Sequence, residues 1–403
     1  MVELLSNSRL LSLTELRSGL EIRAFSHVGR IRVGNLEISV RPKIPGRSLV
    51  SLIRYAYGYR RLNLISDTVQ ELDNYGFEDL LITQLNAEIS ELITRGLRRS
   101  YQRRSENLAS PRGRLDIDRF AMNQANCSAT LPCTHHPRTS NILLNQILFA
   151  GLHLAASMTS HIEISRESLR LASLLSDEIS KVELRPTLLK QAFQQMSRLT
   201  ESYQPALSII KQLVESQGIV LDDGPVQHTL PGFLFDMNLF FQMLLSRLLR
   251  ENLPGFHVID ERGLIGMMRY DPAFNPRRAR TPTPRPDFIV GRDGQTFSIL
   301  DAKYRDLWEH NLPREMLYQL VVYAISCRER PCSSILYPTT DLRARESRID
   351  VTAPLDGHRI GQVCLRPVHL PTVVDLVTSR SQQSYRDRVA YVKKLAFGAD
   401  DGK

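Results

Sequence analysis

Two acidic residues and a lysine in the C-terminal half of the chain are the residues best suited to chemistry. Asp287 begins the run Asp-Phe-Ile-Val, and Asp301 and Lys303 belong to the run Ser-Ile-Leu-Asp-Ala-Lys-Tyr. Two carboxylates can bind Mg²⁺, which retains several waters and can activate one of them. A lysine beside them can orient that water or stabilise charge that develops on a phosphate. The three residues are therefore a minimal set for hydrolysing a phosphodiester, with Asp287 and Asp301 as metal ligands.

An acid followed by Asp-X-Lys occurs often by chance, and a surface ion pair is its usual explanation. Here, however, Asp301 and Lys303 continue an apolar segment that begins at Phe297. Charged residues in such a strand need a functional reason or a partner. The context therefore favours a nuclease site.

The three side chains meet only if the strands around them have a suitable register. Asp301 and Lys303 are two residues apart, so a strand places them on one face. A three-residue turn over 292–294 places Asp287 opposite Ile299 and on the same face as Asp301. A two-residue turn would place Asp287 on the other face. We therefore predict the three-residue turn.

Gln319 and Tyr323 follow on a predicted helix and are the remaining candidate site residues. Their spacing of four places them on one side of that helix. From there they can reach a metal site, an attacking water or a phosphate. The alternative is a polar residue at a helix edge beside a half-buried tyrosine.

The C-terminal region around these residues alternates between helices and strands. Apolar periodicity predicts helices over 233–249, 313–326 and 383–397, and strands over 333–337, 348–352 and 362–367. The order helix, strands, helix, strands indicates an α/β or α+β domain. A segment rich in proline and arginine, 275–285, is predicted to be an exposed basic loop directly before Asp287.

The N-terminal part is predicted to be rich in β-structure and the middle to be helical. Strands are predicted over 20–24 and 36–40, with Gly34-Asn35 as a hairpin turn. Predicted helices cover 48–57, 77–97, 141–158, 166–181, 187–199 and 203–217. A candidate boundary lies within 218–232. The predicted organisation is thus a β-rich N-terminal domain with a terminal helix (1–105), a mainly helical middle region (106–225) and a C-terminal domain (226–403).

Composition is typical of a globular protein with a polyanionic partner. The 403 residues are 42% hydrophobic and 24% charged, and the formal net charge is +9. This charge suits nucleic acid, although a generally basic surface would give the same value. No apolar run is long enough for a transmembrane helix, and the N-terminus lacks the pattern of a secretory signal. We therefore expect a cytoplasmic protein.

Arginines and cysteines suggest two further sites. A basic run holds Arg95, Arg98, Arg99, Arg103 and Arg104 around Tyr101. It can contact nucleic acid or a partner, or it can be a solvated helix end. Cys127 and Cys133 lie near His135 and His136, but their spacing fits no usual zinc ligand pair. Five cysteines in total indicate a reducing compartment and no disulfide framework.

Several motifs together resemble a known family. Three of them are similar to those of PD-(D/E)xK nucleases, in the branch shared with RecB-like enzymes: Pro286-Asp287, Leu300-Asp301-Ala302-Lys303-Tyr304 and Tyr318-Gln319-Leu-Val-Val-Tyr323. Three more fall in the expected order along the chain: Arg41-Pro-Lys-Ile, Pro111-Arg-Gly-Arg-Leu-Asp and Phe235-Asp-Met-Asn-Leu-Phe-Phe. Over nearly its whole length the chain resembles the McrC family, the nuclease subunits of the McrBC modification-dependent restriction system.

This resemblance implies a fold, an activity and a partner. The C-terminal domain would be a restriction-endonuclease-like PD-(D/E)xK domain that cuts DNA with Mg²⁺ through Asp287, Asp301 and Lys303. The partner would be an McrB-like AAA+ GTPase that recognises methylated cytosine in double-stranded DNA. The N-terminal part would enter its ring and stimulate GTP hydrolysis. The chain itself has no Gly-x-x-x-x-Gly-Lys-Ser/Thr motif, so GTP would be bound by the partner.

One departure from the family pattern leaves an alternative function open. Relatives commonly carry an acid on the helix before the site, where this chain has Gln242. A glutamine can orient water but adds no negative charge for a metal. The alternative is therefore a non-catalytic regulatory subunit of the GTPase ring, and a plain DNA-binding module is a third hypothesis.

Overall fold

The computed structural model describes residues 11–33, 36–42, 44, 46–58, 76–120, 130–223, 226–327, 331–379 and 381–398. These residues form a mixed α/β protein with several sheets. Contacts divide the chain into two compact units, one that joins Met1–Phe77 to Gly218–Lys403 and one that comprises Glu78–Gln217. Within the described ranges, no helix has both the length and the apolar character needed to cross a membrane.

The N-terminal segment consists of two hairpins and a helix. Its elements are β1 (Leu11–Leu16), β2 (Gly19–Ala24), β3 (His27–Val33), β4 (Leu36–Val40) and α1 (Gly46–Tyr57). Val33 pairs with Leu36, which confirms the predicted two-residue hairpin connection. The turn residues themselves, Gly34 and Asn35, lie outside the described residues.

The unit Glu78–Gln217 combines short strands with a run of helices. Its elements are α2 (Phe77–Arg95), which begins one residue earlier, β5 (Ser100–Tyr101), β6 (Arg104–Leu108), β7 (Arg114–Leu115), β8 (Leu131–His135), β9 (Arg138–Thr139), α3 (Leu143–Met158), α4 (Ile162–Ser176), α5 (Pro186–Gln194) and α6 (Gln204–Ser216). Gly96 follows α2 with a φ of 87°, a conformation that suits glycine after a helix. The apolar faces of the later helices bury Ile147, Leu171 and Leu207. The helices predicted in this region are confirmed, with ends that differ by a few residues.

The chain then returns to the first unit through a hairpin. Its next elements are β10 (Gln217–Asp223), β11 (Val226–Asp236), α7 (Met237–Asn252) and β12 (His257–Asp260). β11 pairs antiparallel with β3, and the four-stranded sheet has the order β10-β11-β3-β4. A Cβ at Gly29 would lie 2.1 Å from the carbonyl oxygen of Phe233, so glycine permits this close pairing. The prediction that a helix starts at residue 233 is wrong, because residues 233–236 belong to this sheet.

A six-stranded mixed sheet forms the rest of the first unit. The remaining elements are β13 (Phe288–Arg292), β14 (Gln295–Ala302), α8 (Arg314–Ser326), β15 (Cys332–Thr339), β16 (Ser347–Thr352), β17 (Arg359–His369), α9 (Leu370–Thr378) and α10 (Gln382–Phe397). The strand order is β12-β13-β14-β15-β17-β16, with β14, β15 and β17 parallel to one another. The strands and helices predicted here are confirmed, and α9 was not predicted.

Helices cover both faces of this sheet at β14. Ile299 packs with Leu320 and Tyr323 of α8 in the apolar core. The neighbouring Ser298 points the other way, and its hydroxyl donates a hydrogen bond to the carbonyl oxygen of Ala396 at the end of α10. β14 is therefore buried on both faces, as expected for a central strand whose sheet is covered by helices on both sides.

The boundaries of the two compact units differ from the predicted domain boundaries. The N-terminal hairpin β3–β4 pairs with β11 and so belongs with the C-terminal region. The division into 1–105, 106–225 and 226–403 remains a prediction about separate domains.

Candidate active site

The hairpin that carries both acids has a two-residue turn. Arg292 pairs with Gln295, which leaves only Asp293 and Gly294 in the turn. Both have positive φ, 53° and 82°, as in the type I′ turn that Asp-Gly favours. The prediction of a three-residue turn is therefore wrong. The register then shifts between Val290 and Gly291, which is a β-bulge.

The bulge restores the face that the shorter turn would have changed. A turn shorter by one residue moves every side chain of one strand to the other face, and one extra residue in β14 reverses that change. Ile299 consequently pairs with Ile289 and not with Asp287. The predicted common face is nevertheless confirmed, because the Nζ atom of Lys303 lies 2.9 Å from Oδ2 of Asp301 and 3.7 Å from Oδ2 of Asp287.

Backbone hydrogen bonds hold the three residues in place. The N–H of Ala302 donates to Oδ2 of Asp287 at 2.7 Å, which links the start of β13 to the end of β14. The N–H of Lys303 donates to the carbonyl oxygen of Leu336 in β15 at 3.1 Å. The acids and the lysine are therefore mounted on adjacent strands of a packed sheet.

Asp301 has an unsatisfied carboxylate oxygen. The residue is only 2% exposed, and its Oδ1 atom is buried without a hydrogen-bond partner among the described residues. A buried carboxylate oxygen in this state costs free energy unless a ligand satisfies it. The site therefore has capacity for a cation or a donor group.

The charges of the three residues depend strongly on one another. Burial, together with the carboxylate of Asp301, raises the pKa of Asp287 to about 6, although Lys303 and the N–H of Ala302 act to lower it. Burial also raises the pKa of Asp301, against the effect of Lys303. Burial disfavours the charge of Lys303, but the two carboxylates outweigh it and raise its pKa. The ammonium is therefore protonated at neutral pH, between two acids that gain from a further cation.

Gln242 of α7 joins this site from a second element. Its Nε2 atom lies 3.3 Å from Oδ1 of Asp287 and 3.3 Å from Oε1 of Glu261. The N–H of Glu261 also donates to the carbonyl oxygen of Asp287 at 2.9 Å, and Glu261 has a left-handed φ of 49°. A non-glycine residue in this conformation is uncommon and is found at functional sites. Sequence reasoning missed Glu261, since it lies far from Asp287 along the chain and in no motif.

The start of α7 is tied to the same strand end. Asp236 caps the helix by accepting from the N–H groups of Asn238 and Leu239. Oδ1 of Asn238 accepts from the N–H of Tyr304, directly after Lys303, at 3.0 Å. The Asp-Met-Asn sequence therefore positions α7, and with it Gln242, against the site.

Gln319 and Tyr323 support the site from α8 without touching its charged groups. Nε2 of Gln319 donates to the hydroxyl of Tyr323 at 2.6 Å, and that hydroxyl donates to the carbonyl oxygen of Arg285 at 2.8 Å. Over the described ranges, neither side chain hydrogen-bonds to Asp287, Asp301 or Lys303. Both therefore hold the chain just ahead of Asp287, and their catalytic role stays a prediction.

The candidate site offers two carboxylates, those of Asp287 and Asp301, as ligands for Mg²⁺. The resemblance to the McrC family implies Mg²⁺ at this site. Among the described residues, no group of three His, Cys, Asp or Glu side chains is placed to hold a metal ion. Mg²⁺ in nucleotide and phosphate sites is commonly held by one or two carboxylates, with waters and substrate oxygens completing the shell. Asp287 with the free Oδ1 of Asp301 meets that requirement, so the residues present suit the ion.

The described cysteine and histidine residues near position 133 are not arranged as a metal site. Cys133 and His135 lie on β8, where both are buried, and Nε2 of His135 is 3.1 Å from Glu106. No metal-binding group is found there within the described residues, and Cys127 lies outside them.

Comparison with known proteins reveals a family and a shared fold. The model of the family described as "McrBC 5-methylcytosine restriction system component" matches residues 22–338. The fold is similar to a chain in the refined half-complex from the tetradecameric assembly of Thermococcus gammatolerans McrB AAA+ hexamers with bound McrC. The two are 18% identical with a TM-score of 0.60, over 94% of this chain and 85% of that chain.

A second solved structure is less similar. It is the cryo-EM structure of the Thermococcus gammatolerans McrBC complex, with a TM-score of 0.44 and 20% identity over 60% of this chain and 70% of that chain. No curated protein matched the sequence.

Proposed function

Because the chain belongs to the family of McrBC 5-methylcytosine restriction system components, we propose that it is the nuclease subunit of such a system. It hydrolyses phosphodiester bonds of DNA that carries modified cytosine, with Mg²⁺ as cofactor. The observation that carries this proposal is the arrangement of Asp287, Asp301 and Lys303 at one strand end, where a buried carboxylate oxygen has no partner in the part of the chain that the structure describes.

Each residue has a role that follows from its contacts. Asp287 and Asp301 would hold the metal, and the N–H of Ala302 keeps the first carboxylate oriented. Mg²⁺, when bound, supplies a Lewis acid for the phosphate and a water of lowered pKa. The ammonium of Lys303 donates to a phosphate oxygen and offsets negative charge as it develops. Gln242 holds Asp287 and Glu261 together at the side of the site.

The proposed partner is an McrB-like AAA+ GTPase. Two observations support it: the family of this chain, and the presence of McrB hexamers with bound McrC in a solved assembly of similar fold. The chain has no phosphate-binding loop of the Walker type, so the GTP belongs to the partner. We propose that the N-terminal part stimulates GTP hydrolysis there.

A second candidate function is favoured by Gln242. The resemblance to the McrC family predicts an acid at this position, whereas the amide of Gln242 adds no charge for a metal and already bonds to two carboxylates. A non-catalytic regulator of the GTPase ring would be consistent with that residue. It would stimulate GTP hydrolysis but would cut no DNA in any assembly.

The substitution Asp301→Asn tests the proposal against this alternative. Methylated duplex DNA is incubated with the chain, its GTPase partner, GTP and Mg²⁺. We expect the variant to lose cleavage by about three orders of magnitude, because metal assistance contributes several kcal/mol. Binding to the partner and stimulation of GTP hydrolysis should be retained.

Asp293→Asn is the matched control on the same hairpin. Its carboxylate is 91% exposed in the turn, so the same chemical change is made away from the site. Cleavage by this control should equal that of the parent chain. Cleavage that survives in Asp301→Asn would refute the site, and a parent chain that stimulates the GTPase but never cuts DNA would establish the regulator.

A further inference from the structure

An arginine-rich excursion leaves the sheet next to the candidate active site and returns to it. We name residues 262–286 the arginine arm; it runs from the end of β12 to Asp287. It contains six arginines and a single acidic residue, Asp271. The arginines are Arg262, Arg269, Arg277, Arg278, Arg280 and Arg285, and all are exposed.

Among the described residues, many exposed arginines are paired with an acid, but these six arginines are not. Elsewhere, exposed arginines often have an acid nearby in sequence, as in Arg23–Glu21, Arg170–Glu167, Arg185–Glu183 and Arg343–Asp341. Within the described part of the chain, no arginine of the arm forms such a pair. Its one acid, Asp271, accepts instead from the N–H of Ala273. The arm therefore presents uncompensated positive charge.

The two ends of the arginine arm are held together beside the candidate active site. The N–H of Leu264 donates to the carbonyl oxygen of Pro284 at 2.8 Å, which brings the two ends of the arm together. Leu264 packs against the apolar core, and Tyr323 holds the carbonyl oxygen of Arg285. Two residues span at most about 7 Å, so Arg285 lies beside Asp287. The position of the arm is thus coupled to the position of the acids.

Apolar side chains are exposed in the same segment. Ile265 is 90% exposed and Phe274 is 81% exposed. DNA-binding proteins combine arginines with apolar side chains that enter a groove, and these two side chains are accessible for such a contact. Because the arm carries six arginines and one acid, a polyanion such as DNA suits it better than a protein surface of mixed charge.

We propose that the arginine arm binds the double-stranded DNA that flanks the phosphate to be cut. Its guanidinium groups contact backbone phosphates. Its joined ends keep those contacts at a fixed distance from Asp287 and Asp301. The proposal rests on the proposed nuclease function and adds the surface that holds its substrate. Because phosphate contacts carry no sequence information, methylated and unmethylated duplexes should be bound alike by this surface.

The test neutralises three arginines of the arm in the full-length chain. We choose Arg269→Gln, Arg277→Gln and Arg280→Gln together. Arg278 is left intact because its φ of 48° makes any substitution ambiguous. Binding of a fluorescent duplex is followed by anisotropy without Mg²⁺, from about 50 to 200 mM salt. The salt slope should become smaller by about 2 to 3, since each lost phosphate contact removes about 0.9.

The matched control removes the same charge from other exposed arginines. Arg119→Gln, Arg166→Gln and Arg198→Gln lie in the unit Glu78–Gln217 and outside the basic run around Tyr101, and none of the three is in an ion pair within the described residues. This variant should keep the slope of the parent chain. An equal loss in both triple variants would show a generally basic surface and overturn the proposal. So would an arm variant that binds DNA normally but no longer binds the GTPase partner.

Cleavage by the parent chain with partner, GTP and Mg²⁺ separates the two proposals. If the parent cuts DNA and the arm variant keeps the full salt slope, the arm proposal is wrong and the nuclease function stands. If neutralising the arm lowers the slope but the parent never cuts, the nuclease function is wrong and the DNA-binding surface stands.

Discussion

Two clusters of buried charge in the same six-stranded sheet have opposite character. At β17, Arg366 is 5% exposed, and its Nε atom donates to Glu346 at 3.0 Å. Its Nη1 atom donates to the carbonyl oxygens of Leu395 and Ala396 at 3.0 and 2.9 Å. At β14, Asp301 is 2% exposed and, over the described ranges, keeps a carboxylate oxygen without a partner. The first cluster is complete within the protein, and the second is not.

We propose that this difference separates a charge that stabilises the fold from a charge that serves function. A buried ion pair with all its hydrogen bonds made holds elements in place, here the end of α10 against the sheet. A buried carboxylate beside a second acid and a lysine leaves electrostatic free energy that a bound cation can recover. We therefore expect changes at Arg366 to affect folding and changes at Asp301 to affect activity.

The largest expected effect on stability is at the complete cluster. Arg366→Met should lower the free energy of unfolding by about 3 kcal/mol or more, because Glu346 keeps only Arg348 as an ionic partner and two carbonyl oxygens each lose a donor. Asp301→Asn should change it by less than about 1 kcal/mol, because the neutral amide is easier to bury. Chemical unfolding of both variants measures the contrast. Equal losses of stability would show that the two clusters do not differ in kind.

The acids should also make the stability of the metal-free protein depend on pH. The pKa of Asp287 is about 6 in the folded chain and about 4 when unfolded, so the folded state binds more protons between these values. Its contribution is therefore fully present below about pH 4 and is lost as the pH rises through about 6. Asp287→Asn should remove up to about 3 kcal/mol of this dependence.

Thermal unfolding in chelator across this pH range measures the effect. Arg366→Met serves as the comparison, and its stability should decline with pH as the parent's does. A variant Asp287→Asn whose pH dependence matches that of the parent chain would contradict the assignment to this carboxylate.

An acid placed at position 242 should change the response to Mg²⁺. Gln242→Glu loses the amide that joins Asp287 and Glu261, so the metal-free protein should unfold at a lower temperature. The added charge should then tighten Mg²⁺ binding by about tenfold, as seen for groups around metal ligands. Thermal unfolding with increasing Mg²⁺ measures both effects.

Gln362→Glu provides the control, because Gln362 lies on β17, the strand that carries Arg366. Nε2 of Gln362 donates to Oδ1 of Asp350 at 2.8 Å, so the same contact is lost there. This variant should be destabilised to a similar degree with or without Mg²⁺. If Mg²⁺ rescues both variants equally, its effect does not come from the candidate site.

The smallest expected effects come from two tyrosine hydroxyls that hydrogen-bond to the backbone. Tyr323→Phe leaves the carbonyl oxygen of Arg285 without its donor, and Tyr391→Phe leaves the N–H of His369 without its acceptor. Each should cost about 1 to 2 kcal/mol of stability. Only Tyr323→Phe should also reduce the cleavage rate, because only that hydroxyl holds the chain ahead of Asp287. A normal rate in this variant would show that Tyr323 is purely structural.

The sequence by itself determined the residue types of the site and the strands that carry them. Alternation with a period of two, and the apolar run before Asp301, depend only on neighbouring residues, so local reasoning was sufficient. The face shared by Asp287, Asp301 and Lys303 was also predicted, although the three-residue turn used to derive it was wrong. A shorter turn and a bulge, which cancel each other, produce the same face.

Only the tertiary structure decided the rest. Pairing of β11 with β3 joins segments about two hundred residues apart, and no local pattern encodes that contact. The bulge in β14 likewise depends on how the hairpin packs between its neighbours. Glu261 reaches Asp287 through Gln242 because three separate elements meet at one strand end. Such contacts arise from the packing of the whole sheet, which residue spacing cannot reveal.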